Sequence, residues 1–380
     1  MKLLFISQGV TVDDQRSYAT ALTRAHVGGV PLEVVNIPFL AVLRTQGWKA
    51  LWRQIIERAG AFLPDIVFFQ FFHGFDDHGV DPTACLDELR TLKTPPLIFA
   101  SLGDPYGFNF PFRRIPNRVL MTIARRGDAF FTTSLGRLSE YLASEGVKNI
   151  VFLPHAHDDA NFTDGDLGQD FDVAMVGSCA VTLHPKMLPW TLRNSLQRKY
   201  VARRLWKRYG NRFGLFGNGW SGHPCWKGPI GFRDQLRLFR SCRCVVDAPA
   251  PVMVDYYASD RPFYIAGSGS PLVMHRIRGV ERIFQDGVSA FYFDRLSEVT
   301  QACDHALSLD ETTRMRNRAE TMKLVKGRQT FDQRVDTILS VSEALRANDV
   351  RLIRPWHFQG DFGKMSVEEL GVVNWKGMRG

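Results

Sequence analysis

Two places in the sequence pair a glycine turn with a cation, the combination that suits phosphate. The stretch DRPFYIAGSGSPLV, residues 260–273, carries Gly267, Ser268 and Gly269 in succession, with Arg261 just upstream. Glycine weakens a helix, so a run of this kind has some other use. One use is close backbone approach to an anion; the other is a helix that ends in a glycine cap before a buried strand. Gly177-Ser178 forms the second place, with Lys186 following after a short loop. A third glycine turn, Gly217-Asn218-Gly219, follows the apolar run FGLF and reads equally as a ligand-contacting turn or a plain βα turn. Proton chemistry has two candidates. Asp104 lies in ASLGDPYGFNF and His73 in HGFDDHG, each directly after a strand-like run. A carboxylate or imidazole in such a position could deprotonate a hydroxyl, or could cap the next helix. His155 and His157 stand beside Asp158 and Asp159, a set that could ligate metal, although turn chemistry is the favoured reading there.

These residues need elements to hold them. In the first half, β-rich runs at 3–7, 32–37, 65–72, 97–101, 129–133 and 150–154 alternate with helical stretches at 13–26, 46–60, 82–92, 113–126 and 135–145. The polar stretch HAHDDANFTDGDLGQDF, residues 155–171, reads as a linker. The alternation then restarts, with strands at 172–178, 213–219, 242–248, 270–274 and 289–293. Helices at 186–208, 232–240, 256–267, 295–309, 311–326 and 331–346 separate them. Continuous apolar strands separated by helices indicate α/β domains with parallel sheets covered on both faces. The expected division is a first domain at 1–157, a linker at 158–170, a second domain at 171–347, and a tail at 348–380. The tail, with RLIRPWHF as aromatic anchor, is expected to cross back over the first domain. In such sheets ligands sit at the carboxyl ends of the strands, and two facing domains would make a cleft.

The charge balance favours an anionic partner. Among 380 residues, 48 Lys and Arg face 39 Asp and Glu, for a net charge of +9. A nucleotide-linked substrate, an anionic membrane surface and nucleic acid are all compatible with that excess. Three basic stretches with aromatic or apolar residues stand out, at 44–58, 112–126 and 198–213. In the first, Trp48, Leu51 and Trp52 suit insertion into a membrane surface. No run of 18 apolar residues exists to span a bilayer, and the N-terminal MKLLFISQGV reads as a first strand rather than a secretion signal. A cytoplasmic location, peripheral at the inner membrane face, is therefore expected. The six scattered cysteines suggest reduced, buried thiols.

The order of pieces in the second half resembles a known pattern. A strand with Gly177-Ser178 is followed by His-Pro-Lys, LFGNGW, DRPFYIAGSGSPL, RGVERIFQDG and an aromatic strand. This is similar to the C-terminal domain of GT-B-fold glycosyltransferases, in particular the spore-maturation-protein-like branch of the group 1 (family four) enzymes. LPHAHDDANF stands where such enzymes turn between domains. The resemblance implies a GT-B fold, two Rossmann-like domains facing across a cleft, and sugar transfer from a nucleotide diphosphate donor to a hydroxyl acceptor. It implies donor contacts from Gly177, Ser178, Lys186, Gly217, Asn218, Arg261, Tyr264, Ser268 and Gly269. In the family motif an acid that binds the ribose hydroxyls stands where this chain has Tyr264. It implies catalytic work for Asp104 and His73. Asp104 is placed like the catalytic aspartate of phage DNA base glucosyltransferases, which invert configuration, whereas family-four enzymes mostly retain it. No cofactor and no metal are expected, because cations rather than Mg²⁺ would meet the leaving diphosphate and no Asp-x-Asp triplet is present. The expected acceptor is a lipid-linked or cell-surface glycan precursor, with hydroxylated DNA as the rival. A non-hydrolysing nucleotide-sugar epimerase and a catalytically degenerate binding module are the other readings.

Overall fold

The computed structural model describes residues 1–9, 11, 16–72, 81–104, 118–158, 171–183, 188–248 and 254–348. His73, Lys186, most of the expected linker and the tail from residue 349 lie outside the described residues. The chain divides into two compact units. Unit 1 comprises residues 1–154 together with the chain from Phe331 onward, and unit 2 comprises His155–Thr330.

Unit 1 is built on a six-stranded parallel sheet. Its strands are β1 (Lys2–Ser7), β4 (Glu33–Pro38), β5 (Ile66–Phe69), β6 (Leu97–Leu102), β7 (Ala129–Thr132) and β8 (Ile150–Phe152), in the order β4-β1-β5-β6-β7-β8. A small antiparallel hairpin, β2 (His26–Val27) with β3 (Val30–Pro31), precedes β4. The strands are apolar on both faces because helices cover both. Phe5, Phe68, Phe99, Phe130 and Phe131 are completely buried, and burial of each such side chain contributes roughly 1.5–3 kcal/mol. Phe131 meets Phe68 and Phe99 nearly edge-on, with centroids 5.9 and 5.5 Å apart, the geometry aromatic quadrupoles prefer.

The helices of unit 1 are α1 (Arg16–Arg24), α2 (Phe39–Phe62), α3 (Thr83–Arg90), α4 (Arg118–Arg126), α5 (Arg137–Ser144) and α11 (Phe331–Ala347). Helix α2 starts earlier than the sequence suggests and kinks at Gly47, whose φ of 78° and ψ of 178° are not helical. Its membrane-facing expectation is corrected. Leu51 is fully buried, and Trp52 stacks on Trp48 at 5.6 Å while packing against Phe72 and Phe69. These residues are the inner face of the helix, covering the sheet.

The last helix also departs from the expected division at residue 347. Helix α11 packs on α1, with Phe331 edge-on to Tyr18 at 4.9 Å. Arg24 forms a forked ion pair with Asp332, with contacts of 2.8 and 2.9 Å. Arg346 holds Asp65 at 3.2 Å. Residues 331–347 therefore complete unit 1, although they follow unit 2 in the chain.

Unit 2 carries a five-stranded parallel sheet of β9 (Phe171–Val176), β10 (Phe213–Phe216), β11 (Cys242–Asp247), β12 (Leu272–His275) and β13 (Ala290–Phe293), in the order β10-β9-β11-β12-β13. Its helices are α6 (Leu188–Tyr209), α7 (Gln235–Arg240), α8 (Asp260–Ser268), α9 (Val299–Ser308) and α10 (Glu311–Arg328). The connections run from β9 outward to β10 and then back across to β11, so the order reverses between β9 and β11. Crevices at such a reversal are where open α/β sheets bind ligands. The six cysteines are buried free thiols.

Candidate functional site

The reversal point of unit 2 carries a cluster of charge. Asp247 is the last residue of β11 and is 6% exposed. Arg261, in the first turn of α8, places Nη1 3.5 Å from Asp247 Oδ1. Arg198, on α6, lies within electrostatic reach of both and donates from Nη1 to the Ser178 carbonyl at 2.5 Å. Burial pushes the Asp247 carboxyl up to about 6, against the pull of Arg261 and Arg198. Burial, with Arg261 beside it, pulls the Arg198 guanidinium down to about 10. Two guanidinium groups thus gather around Asp247, with the Asp260 carboxylate also within electrostatic reach, at the carboxyl ends of β9 and β11. A diphosphate is a ligand of matching charge and reach.

The glycine turn beside it is held by its neighbours. Gly177 N–H donates to Phe216 O, and Cys179 N–H donates to Asn218 O at 2.8 Å. The indole Trp220 Nε1 donates to Gly177 O at 2.6 Å, and Trp226 Nε1 donates to Gly217 O at 2.9 Å. A Cβ on Gly217 would lie 2.4 Å from Gly177 O, and one on Gly219 would lie 2.7 Å from Ala180 N. The turn at 217–219 is thus glycine because two backbones touch. Ser178 and Asn218 are exposed on this edge.

The stretch at 260–273 resolves in favour of packing at its glycine end. Gly269 caps α8 in the left-handed region, with φ 82°, and its N–H donates to Ala266 O at 3.0 Å. Ser268 is fully buried; its hydroxyl donates to Ile265 O at 2.6 Å and accepts from Ser270 N–H at 3.2 Å. A Cβ on Gly267 would lie 2.3 Å from the His157 ring, and one on Gly269 would lie 2.7 Å from Arg318 Cγ. The expectation that this bend offers backbone N–H groups to the donor is therefore corrected, because the amides of Gly269 and Ser270 are already spent inside the unit. Ser268 and Gly269 are a helix cap, and of the motif only Arg261 reaches the charge cluster.

Tyr264 is likewise corrected as a ribose contact. It is 3% exposed, and its ring packs edge-on to Phe232 at 5.5 Å and near the His157 ring at 6.3 Å. Burial, together with the Asp260 and Asp158 carboxylates, raises its hydroxyl well above the usual range. His157 is also fully buried, and its backbone N–H donates to Gln329 O at 2.6 Å. His157 thus packs inside unit 2, and among the described residues no group of three or more His, Cys, Asp or Glu is arranged to hold a metal.

In unit 1 the carboxyl ends of β5, β6 and β7 are tied together. Phe71 N–H donates to Ser101 Oγ at 3.0 Å, and Thr133 Oγ1 donates to Gly103 O. Asp104 follows immediately, half-buried at the strand edge. It lies two residues past the carboxyl end of β6. Its expected companion His73 lies outside the described residues, as does Lys186.

Sequence reasoning missed Arg198 and Asp247. Arg198 stood at the head of a basic stretch and was absorbed into an amphipathic helix. Asp247 carried a signal, because it is the one acid in the strand CRCVVD and ends it at the carboxyl edge.

Residues 193–340 match the family model described as glycosyl transferase-like, a segment of less than half the chain. That segment is thus similar to a glycosyl transferase-like domain, and the two Rossmann-like parallel sheets have the GT-B architecture. The solved structures it resembles include HepE of Anabaena in complex with UDP and glucose, at TM-score 0.57 and 13% identity, covering 90% of this chain and 99% of that one. A glycosyltransferase from Rickettsia africae matches at TM-score 0.58 and 11% identity, covering 90% and 97%. A UDP-N-acetylglucosamine 2-epimerase from Listeria monocytogenes, described as putative, matches at TM-score 0.53 and 13% identity, covering 92% and 98%. At these identities the likeness shows the fold. No curated protein sequence matches the chain.

Proposed function

We propose that the protein transfers a sugar from a nucleoside diphosphate donor to a hydroxyl acceptor, with arginines rather than a metal ion meeting the diphosphate. The observation that carries this reading is the pair Arg198 and Arg261 around Asp247, beside the Gly177-Ser178 turn. In the step, the bond between the anomeric carbon and the diphosphate oxygen breaks and the electron pair leaves with the diphosphate. A bond to the acceptor oxygen forms, and the acceptor proton goes to a base. The two guanidinium groups stabilise the leaving group as its negative charge grows. Asp104 is the described candidate for the base, and in that role it corresponds to inversion at the anomeric carbon. Retention, the habit of the family-four branch that the motif order resembles, needs no such base.

UDP-sugars are the first donors to test, since HepE of Anabaena holds UDP and glucose on the same architecture. The acceptor we favour is a lipid-linked or cell-surface glycan precursor; hydroxylated DNA is the rival that the net charge of +9 also suits. The test is turnover of nucleotide sugars with candidate acceptors in the presence of EDTA, for the wild type and Asp104→Asn. Release of nucleoside diphosphate that survives EDTA and drops in Asp104→Asn supports the reading. Loss of turnover on chelation overturns the metal-independent mechanism. A new sugar nucleotide formed from donor alone would identify an epimerase instead.

A further inference from the structure

We infer that the outer face of α6 is a docking surface for an anionic lipid bilayer. The inner face of this helix is ordinary core: Val201, Ala202, Leu205 and Tyr209 pack into unit 2. The outer face is not ordinary surface. Leu192, Leu196, Tyr200 and Trp206 are 44%, 59%, 44% and 40% exposed, and Leu183, in the loop before the helix, is 82% exposed. Their spacing of four and six residues keeps them on one side of the helix. Exposed apolar side chains gathered in this way mark an interaction site, whereas scattered ones do not.

The charge on the same helix chooses the partner. The sequence LPWTLRNSLQRKYVARRLWKRY contains seven Lys and Arg and no acid. Arg198 turns inward to the Ser178 carbonyl, and Arg208 is held by Asp304 at 3.0 Å. Arg193, Lys199, Arg203 and Lys207 are exposed and make no ion pair among the described residues. They interleave with the leucines and aromatics. A second copy of this face would bring like charges together. A phosphate backbone would satisfy the cations and leave Leu192 and Leu196 in water. An anionic bilayer satisfies both, since headgroups meet the cations while leucine, tyrosine and tryptophan enter the boundary with the acyl chains. The inference does not rest on the transferase reading. It also relocates the membrane contact expected of Trp48, Leu51 and Trp52, which are inward-packed.

The test is co-sedimentation of the full chain with vesicles of phosphatidylglycerol and phosphatidylcholine, compared with phosphatidylcholine alone, at low and high salt. The wild type is expected to bind the anionic vesicles and to keep a salt-resistant fraction. A Lys199→Glu, Arg203→Glu, Lys207→Glu variant should bind about a hundredfold more weakly, at roughly fivefold per cation near the surface. A Leu192→Ala, Leu196→Ala variant should lose the salt-resistant fraction. Trp206→Phe should lose the blue shift that vesicles induce in tryptophan emission. These side chains are exposed, so each variant should melt near the wild type, and circular dichroism checks this. No sedimentation of the wild type with anionic vesicles at low salt overturns the inference. So does wild-type binding by the folded charge-reversed variant. Tighter binding to duplex DNA than to vesicles at equal salt, or a dimer lost in the leucine variant, overturns it as well.

Discussion

Gly217 lies so close to Gly177 that a Cβ at position 217 would sit 2.4 Å from the Gly177 carbonyl oxygen. The φ of 122° at Gly217 is also closed to ordinary side chains. Gly217→Ala should therefore cost about 2 kcal/mol of stability or more and push the Gly177-Ser178 turn out of place. Gly228→Ala is the control: its φ is 104°, yet nothing lies within 4 Å of the added carbon, so about 1 kcal/mol of strain is expected. Thermal melting of both variants, with and without donor, checks this. Equal melting points would show that the contact does not matter.

Arg198 and Arg261 should each matter for donor binding. Arg261→Ala and Arg198→Ala are expected to weaken a nucleotide diphosphate sugar roughly tenfold to a hundredfold, the worth of about 1.5–3 kcal/mol for a hydrogen bond to a charged group. Calorimetric titration measures it. If both variants bind within about twofold of the wild type, the diphosphate sits elsewhere.

Asp247 makes that binding depend on pH. Its carboxyl titrates near 6, raised by burial. Below that pH it is neutral and no longer draws on Arg198 and Arg261; above it the carboxylate competes with the diphosphate for them. A bound anion favours the protonated form, so affinity should fall as pH rises through about 6. A nucleotide sugar is the right probe, because its diphosphate diester keeps its two negative charges unchanged over this range, whereas a terminal phosphate titrates near 6 itself. Asp247→Asn should flatten the curve and bind at least as tightly as the wild type at pH 7. A wild-type affinity that rises with pH would contradict this account.

Gly267 and His157 should behave as one unit. Gly267→Ala drives a methyl into the His157 ring and should destabilise unit 2 by about 1–3 kcal/mol. His157→Ala opens the space, so the double variant should be more stable than the sum of the two single losses predicts. Additive losses in that cycle, measured by denaturant unfolding, would remove the contact from the account.

The sheets were legible because most strands are short, mainly apolar runs, a pattern a parallel sheet with two covered faces requires. The site was legible only in part. Arg261 and Gly177-Ser178 stand out because a cation and a glycine turn are local features. Gly267 misled for a physical reason: the partner that demands a glycine there, His157, lies more than a hundred residues away in the chain. Arg198 stayed hidden because its role depends on which side of α6 faces Asp247, and a helix with seven cations gives no sign of which one turns inward. The membership of α11 was hidden likewise, since nothing local in Phe331–Ala347 says that its partner is Tyr18 near the start of the chain.

The return of α11 to α1 has a consequence for how the chain is made. The whole of unit 2, His155–Thr330, is a continuous stretch and leaves the ribosome before the last helix of unit 1 exists. Unit 2 can complete its fold from its own residues, whereas Tyr18 and its neighbours on α1 wait uncovered until Phe331 and the turns after it emerge. During that interval the nascent first unit shows an apolar groove to chaperones. A stop codon just after Thr330 would leave unit 2 intact and unit 1 permanently unfinished, with Asp65 and Asp332's partner Arg24 both missing their ion pairs.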